Sequence, residues 1–345
     1  MALNNSFDVD KLLLTQGLKP VNEAYDKDKE ICVSVFCLTY NQEKYIRNAL
    51  DSFLNQLVNF NVEIVIHDDA STDSTPTILR EYSNKYPNVV KVFFEKENQY
   101  SKVGDTIEIE RIHIKNVKGK YVASCEGDDY WTDPYKLFLQ VNALENNISC
   151  NFCVHRVRVI DLMNSKNNHI LPSFNLESSL IESKRFIDLV NNDYPFQTSC
   201  YFFRKNVYEE FLDEYPLFAQ MMPTSDEAIM YFIGNKGNVF FIDRIMSCWR
   251  KFTDNSWNIT NLINSSSKER NERRRKFANS IMEFYEYSNR KFPSCIERHN
   301  RLMITTYLSE GNIKALFESK SMKKTLKKQG LIRYMKLRVK SLLNL

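Results

Sequence analysis

The stretch YVASCEGDDYW, residues 121–131, reads as a short apolar strand running directly into an acidic turn. Glu126, Asp128 and Asp129 fall within four positions, and Trp131 follows. Like charges so close repel, so an ordered cluster calls for a compensating cation. Hard divalent ions such as Mg2+ or Mn2+ prefer oxygen ligands and usually share their shell with phosphates. The competing reading is a solvated turn whose acids favour the N-terminus of the next helix.

The segments before it decide between these readings. ICVSVFCLTYN (31–41) is dense in apolar and β-branched residues and reads as a buried strand. Ile46, Ala49, Leu50, Phe53 and Leu54 then recur at helical spacing. VEIVIHDD (62–69) predicts a second strand, and the helix after it has Asp73 or Ser74 as cap and Pro76 in its first turn. VVKVFFE (89–95) predicts a third strand, and a helical segment around 102–116 leads to the fourth, YVASC. Alternating strands and helices imply βαβ units: an α/β fold with a Rossmann-like, mainly parallel sheet flanked by helices. Ligands in such sheets bind beyond the carboxyl ends of the strands. Those ends read LTYN, IHDDAST and CEGDDYW, so two of the three loops carry carboxylates and together they suggest a nucleotide pocket.

Beyond 131 the pattern changes. TDPYKLFLQVNALENN restarts a helix, with Thr132 or Asp133 as cap and Pro134 in the first turn. NFCVHRVRVID and SCYFFRK read as strands, SKRFIDLVNN and SDEAIMYFIGNKG as helices, and NVFFIDRIMSCWRKF as a strand pair or a strand with a turn. A long charged helix is expected over 266–293.

The blocks VSVFCLTYNQEKYIRNALDSFLNQ, VEIVIHDDASTDST and YVASCEGDDYWTDPYKLFLQV, in that order, resemble the family 2 glycosyltransferases. The likeness is strong over 31–145 and weaker over 195–257, through QTSCYFFRK, TSDEAIMYFIGNKG and IDRIMSCWRKFTDNSW. It implies a GT-A fold and inverting transfer from a nucleotide-diphosphate sugar, a UDP-sugar being favoured. The acceptor would be a glycan or a lipid-linked sugar, as in bacterial surface polysaccharide (capsule, lipooligosaccharide or O-antigen) synthesis. Position by position, Thr39, Tyr40 and Asn41 would line the nucleoside pocket with Glu43 nearby, and Asp68 or Asp69 would contact the base or ribose. Glu126-Gly127-Asp128 resembles the DxD motif, making Asp128, with Glu126, the ligands of Mn2+ or Mg2+. Asp129 would help position the donor sugar or the metal shell, and Trp131 is counted with the substrate-binding residues. Asp226 falls where the family places its catalytic base, with Glu227 as rival, and a helix N-cap is the plain alternative for Asp226. Trp249, Arg250 and Trp257 fall near the segment that closes over the diphosphate.

Three features depart from the family pattern. The first DxD acid is Glu, Phe252 stands where a His often follows the Arg, and the QxxRW block is absent as such. They leave a non-catalytic nucleotide- or carbohydrate-binding relative as an alternative. A sugar nucleotidyltransferase is the lesser rival, because TYNQEKY lacks the Gly-rich loop after the first strand.

Composition fits this reading. The 345 residues are 43% hydrophobic and 26% charged, in the range of a globular chain with a sizeable core. Domains are expected at 1–30 (a lead-in), 31–260 (the glycosyltransferase body, with a nucleotide-sugar half over 31–145 and an acceptor half over 146–260) and 261–345 (a helical C-terminal extension). The eight cysteines lie mostly in apolar runs, and only Cys150 and Cys153 form a CxxC, so they read as reduced core thiols of a cytoplasmic protein. The five histidines show no metal-ligand spacing, and His67 reads as core or as backing for the Asp pair. Neither a signal peptide nor a membrane span is expected.

The charge is uneven. Residues 311–345 hold ten Lys or Arg and one acid, a net +9, which leaves the first 310 residues at −5 against +4 for the whole chain. With Ile332, Met335, Val339, Leu342 and Leu343 at helical spacing, this tail reads either as a basic amphipathic helix on the inner face of the cytoplasmic membrane or as a solvated helix packed on the protein. Nothing else in the chain points to nucleic acid.

Overall fold

The computed structural model describes residues 16–103, 106–193, 195–254, 256, 259, 263–330 and 334–338. The chain divides into two compact units. The first holds Met1–Phe186, Tyr194–Glu214 and Phe232–Ser256, and the second holds Ile187–Asp193, Tyr215–Tyr231 and Trp257–Leu345. The second unit thus takes two segments from inside the span 31–260.

The first unit is built on a ten-stranded sheet. Its strands are β1 (Ile31–Thr39), β2 (Asn61–Asp68), β3 (Val90–Phe94), β4 (Tyr121–Ser124), β5 (Tyr130–Trp131), β6 (Cys150–Asp161), β7 (His169–Leu171), β8 (Ser179–Ile181), β9 (Phe202–Arg204) and β10 (Asn238–Lys251). The main order is β8-β10-β6-β9-β4-β1-β2-β3, with β5 on β10 and β7 on β6. β4, β1, β2 and β3 run parallel, as the alternation of strands and helices predicts. β9 enters antiparallel between β4 and β6, so the far half of the sheet is mixed. Every residue of β2 is buried, the polar Asn61, Glu63, His67 and Asp68 included, so the strand is covered on both faces.

Helices cover the parallel half. α1 (Ile46–Leu54) buries Ile46, Ala49, Leu50, Phe53 and Leu54, the five positions picked by spacing. α2 (Thr75–Lys85) carries Pro76 in its first turn, and Asp73 Oδ1 accepts from the Thr75 amide at 2.9 Å. α3 (Ile107–Ile114) and α4 (Lys136–Asn146) follow β3 and β5. Pro134 precedes α4 instead of lying in its first turn, because Asp133 and Pro134 form the bend that leaves β5.

NVFFIDRIMSCWRKF is one strand, not a pair. β10 stays in register with β6 except at its start, Asn238–Val239, and at shifts around Ile242–Ile245 and Ile245–Ser247, at and just after the FIDRI stretch. The helices α5 (Ser183–Asp193) and α6 (Lys205–Glu214) complete the first half of the C-terminal pattern, and α7 (Ser225–Lys236) leads into β10.

The second unit is helical. α8 (Ser267–Tyr287) opens with a capping box in which Ser266 and Glu269 satisfy each other's amides. α9 (Ser294–Ser309) and α10 (Lys320–Gln329) follow. Leu316, Phe317 and Leu326 pack with Ile304 of α9, joined by Tyr334 and Leu337. These residues of the described part of the tail are therefore covered by protein. Met335 is 55% exposed, whereas Ile332, Val339, Leu342 and Leu343 lie outside the described residues.

Candidate active site

The three predicted loops meet at the carboxyl ends of β1, β2 and β4. After Ser124 the chain keeps following β1: the Cys125 amide donates to Phe36 O at 3.1 Å and the Gly127 amide to Leu38 O at 2.9 Å. The turn closes with the Asp129 amide on Glu126 O at 3.1 Å. Only glycine fits at 127, since a Cβ there would lie 2.4 Å from Gln42 Oε1 and 2.9 Å from Thr39 Oγ1. Those two atoms are themselves joined by a 2.7 Å hydrogen bond, so neither swings away freely.

β5 then returns the chain to the sheet. Trp131 pairs with Ser247 and Tyr130 with Cys248 of β10, which lays residues 249–253 alongside the acidic turn. Asp129 is fully buried: its Oδ1 accepts from the Arg250 amide at 2.8 Å and its Oδ2 from Gln197 Nε2 at 2.9 Å. Gln197 is held in turn, because its Oε1 accepts from both the amide and the hydroxyl of Ser199, and that hydroxyl meets Ser247 Oγ at 2.8 Å. Asp128 is also buried, and its Oδ2 accepts from Thr253 Oγ1 at 2.6 Å. The Arg250 guanidinium donates to Asp128 O and to Asn48 Oδ1, both at 2.5 Å, and stacks 4.3 Å from the Tyr130 ring. Glu126 is the exposed member of the three acids.

Burial pushes the Asp128 carboxyl above the usual carboxylate range. Asp129 is pushed well above it by burial and then by repulsion from Asp128 and Glu126. On β2, Asp68 is raised by burial, and its Oδ1 is buried without a hydrogen-bond partner. An oxygen donor set in which burial and mutual repulsion disfavour the charged forms fits a hard divalent cation, which would reverse both effects. Asp129, with both oxygens engaged by Arg250 and Gln197, acts as the clamp that joins the turn to β10.

The other predicted residues fall into two groups. Thr39 is buried at the end of β1, and Tyr40 is 38% exposed beside it. Asn41, with φ 52°, ties the first loop to the second: its amide donates to Ser71 Oγ at 2.8 Å and its Oδ1 accepts from the Thr72 amide at 2.7 Å. Glu43 does the same one step on, with its amide on Asp73 Oδ2 at 3.0 Å and its Oε2 accepting from the Ser74 amide at 2.9 Å. Asp69 accepts from the Gln99 and Tyr100 amides at 2.7 and 3.0 Å and so fixes the next loop. Trp249 is half-buried, and Trp257 lies outside the described residues.

Trp131 is a core residue, not a pocket wall. It is 4% exposed, its ring lies 4.5 Å from that of Phe53, and Lys136 Nζ sits 4.0 Å over it. Asp226 belongs to the second unit, in the first turn of α7, where its Oδ1 accepts from the Glu227 amide at 2.9 Å. Glu227 is buried and paired with Arg298 at 2.6 Å, yet burial still raises its carboxyl to about 7.

Gln197 and Thr253 escaped the sequence reading. Each had a signal: a polar residue leading the apolar run QTSCYFF, and a hydroxyl beside Phe252 in RKFTD. Their partners lie 68 and 125 residues away, beyond the reach of periodicity.

Comparison with known proteins agrees with this geometry. The family described as "Glycosyl transferase family 2" matches residues 34–212. An uncharacterized protein of Mycobacterium tuberculosis is 41% identical over 140 residues, which is 41% of this chain and 39% of that one. The minor teichoic acid biosynthesis protein GgaB of Bacillus subtilis is 32% identical over 97 residues, 28% of this chain and 10% of that one. The matches therefore span well under half the length of these relatives. Among solved structures, S. aureus TarS in complex with UDP-GlcNAc superposes with a TM-score of 0.57 at 18% identity, covering 86% of this chain and 80% of that one. That likeness shows the fold, the expected GT-A arrangement with a helical C-terminal part.

Proposed function

The chain belongs to glycosyl transferase family 2, and from that premise we propose that it is an inverting glycosyltransferase taking a nucleotide-diphosphate sugar, preferably a UDP-sugar, as donor. The observation that carries the reading is the buried Asp128–Asp129 pair at the end of β4, clamped by Arg250, Thr253 and Gln197. The relatives' names support a glycan or lipid-linked acceptor in surface-polymer synthesis. Residues 31–145 then serve the donor, 146–260 the acceptor, and 261–345 form the extension.

In this reading Asp128 and Glu126 hold Mn2+ or Mg2+, which when bound supplies Lewis-acid stabilisation of charge on the leaving diphosphate. Thr39 and Tyr40 line the nucleoside side, and Asp68 faces it from β2. Asn41 and Glu43 act by holding the two loops together. Arg250 keeps the acidic turn against β10, so the oxygen ligands are set before substrate arrives and little reorganisation is spent on binding. Asp226 takes the proton from the acceptor hydroxyl as that oxygen attacks the anomeric carbon, a contribution of about 10²–10⁴ in rate. Glu227, buried on Arg298, holds the start of α7 and is not the base.

Among the described residues no helix is long and apolar enough to cross a membrane. We place the reaction on the cytoplasmic side, with any bilayer contact through the exposed lysines of 311–345.

A panel of UDP-, GDP- and dTDP-sugars with Mn2+ tests the assignment. Transfer or donor hydrolysis is expected with a UDP-sugar, abolished in Asp128→Ala with loss of Mn2+-dependent nucleotide binding. Asp226→Asn should keep donor binding and lose turnover by about 10²-fold or more. Near wild-type turnover in that variant would move the base elsewhere, and silence across the whole panel would favour a non-catalytic binding protein.

A further inference from the structure

A second cluster lies beneath the candidate active site. His67 on β2 and His113 on α3 are both 1% exposed, and Phe93 and Phe36 line the pocket with ring centroids 4.8 and 6.0 Å from that of His113. His67 Nδ1 lies 2.5 Å from His113 Nε2. Glu95, just past β3, points its Oε1 to within 3.9 Å of the same His67 Nδ1. One ligand atom from each of the three lies within 4.8 Å of the others. The remaining nitrogens, His67 Nε2 and His113 Nδ1, are buried without hydrogen-bond partners.

Two buried imidazoles facing each other can share only one proton in a hydrogen bond, and neither gains by charging there. Burial lowers both, His113 to about 4, so at neutral pH each offers a lone pair. A carboxylate turned toward two neutral imidazoles is a ligand set. Behind it, Asp69 Oδ1 sits 3.6 Å from His67 Nε2, the side away from Glu95 and His113. At that distance it is no hydrogen bond; closing it to about 3 Å would let the carboxylate orient a metal-bound histidine through its other ring nitrogen.

We propose that His67 Nδ1, His113 Nε2 and Glu95 Oε1 bind a zinc-type divalent ion, separate from the all-oxygen site at Glu126 and Asp128. Two nitrogens and one oxygen suit zinc better than magnesium or manganese, which favour oxygen throughout. Tetrahedral donors at zinc bond lengths stand about 3.3 Å apart. The observed 2.5 and 3.9 Å lie on either side of that spacing and all three atoms fall within 4.8 Å of one another, so rotation of the Glu95 and His113 side chains would complete the shell. Glu95, 28% exposed, gives the ion a way in and leaves a fourth position for water. The ion would join β2, the segment after β3 and α3, directly behind Asp68 and Asp69.

The full-length protein, stripped with chelator, is titrated with Zn2+ in excess Mg2+ against a chromophoric competitor, with bound metal counted by mass spectrometry. One Zn2+ per chain is expected, with Glu95→Gln and His113→Gln each weakening it at least about tenfold and Asp128→Ala leaving it unchanged. Co2+ substitution should give the intense visible bands of a four-coordinate site, lost in Glu95→Gln. If His113→Gln fails to fold by circular dichroism, the half-buried Glu95→Gln carries the test alone. Equal Zn2+ affinity in wild type and Glu95→Gln, or loss of Zn2+ in Asp128→Ala, overturns the proposal.

Discussion

Asp129 and Lys136 show how single buried charges are handled in this protein. Both carboxylate oxygens of Asp129 are met by donors, which offsets the cost of burying it. Lys136 has less: one bond to Gln140 at 2.9 Å and the face of Trp131. Burial therefore depresses its ammonium to about 8. The folded value lies below the unfolded one, so the unfolded chain binds more protons between them and stability rises with pH across that window. Between pH 8 and 10.5 wild type should gain up to about 3 kcal/mol relative to Lys136→Met, whose chemical-denaturation midpoints should stay flatter. Parallel curves for the two proteins would mean that Lys136 keeps its proton inside the fold across this window.

The strand-end loops are bound to one another more than to anything else. Asn41, Glu43, Ser71 and Asp73 form a reciprocal set between the loops after β1 and β2. Removing Glu43 by Glu43→Ala should cost about 1 kcal/mol of stability, because Ser74 loses its acceptor at the start of α2. It should raise KM for the donor more than it lowers kcat, since the loops position and do not react; an unchanged KM with reduced kcat would place Glu43 in the chemistry instead. This half of the site was legible because each strand, loop and helix is contiguous in sequence: the LTYN, HDD and EGDD ends follow from apolar runs and helical spacing alone. The other half was not. Tyr130–Trp131 is too short to read as a strand, and its partner on β10 is more than a hundred residues on. Trp131 looked like a pocket residue for the same reason, as nothing local shows that β10 and Lys136 cover it. The shifts in β10 likewise look like a turn until β6 is seen to run beside the whole strand.

Over the molecule as a whole, charge and packing are separated. The basic excess lies in the second unit, and most of the described apolar residues of that tail already pack with Ile304 of α9, Met335 being the exposed exception. Lys320 and Lys324 remain exposed on α10. Binding to anionic vesicles should therefore be electrostatic, at about 1 kcal/mol per lysine near the surface, and should fall steeply with salt. In a sedimentation assay, Lys320→Glu with Lys324→Glu should reduce vesicle binding about tenfold or more while melting as wild type does. Salt-insensitive binding would point to apolar insertion by residues beyond 338. The two-residue ladder between β5 and β10 has a different reach. Together with the Cys125 and Gly127 amides on β1, it fastens the acidic bend at both ends, to β1 on one side and to β10 on the other, as a bridge is seated on two piers. On the proposed function, whatever adapts when a sugar nucleotide arrives would then be the surroundings, with the buried acids as the fixed datum for aligning the donor.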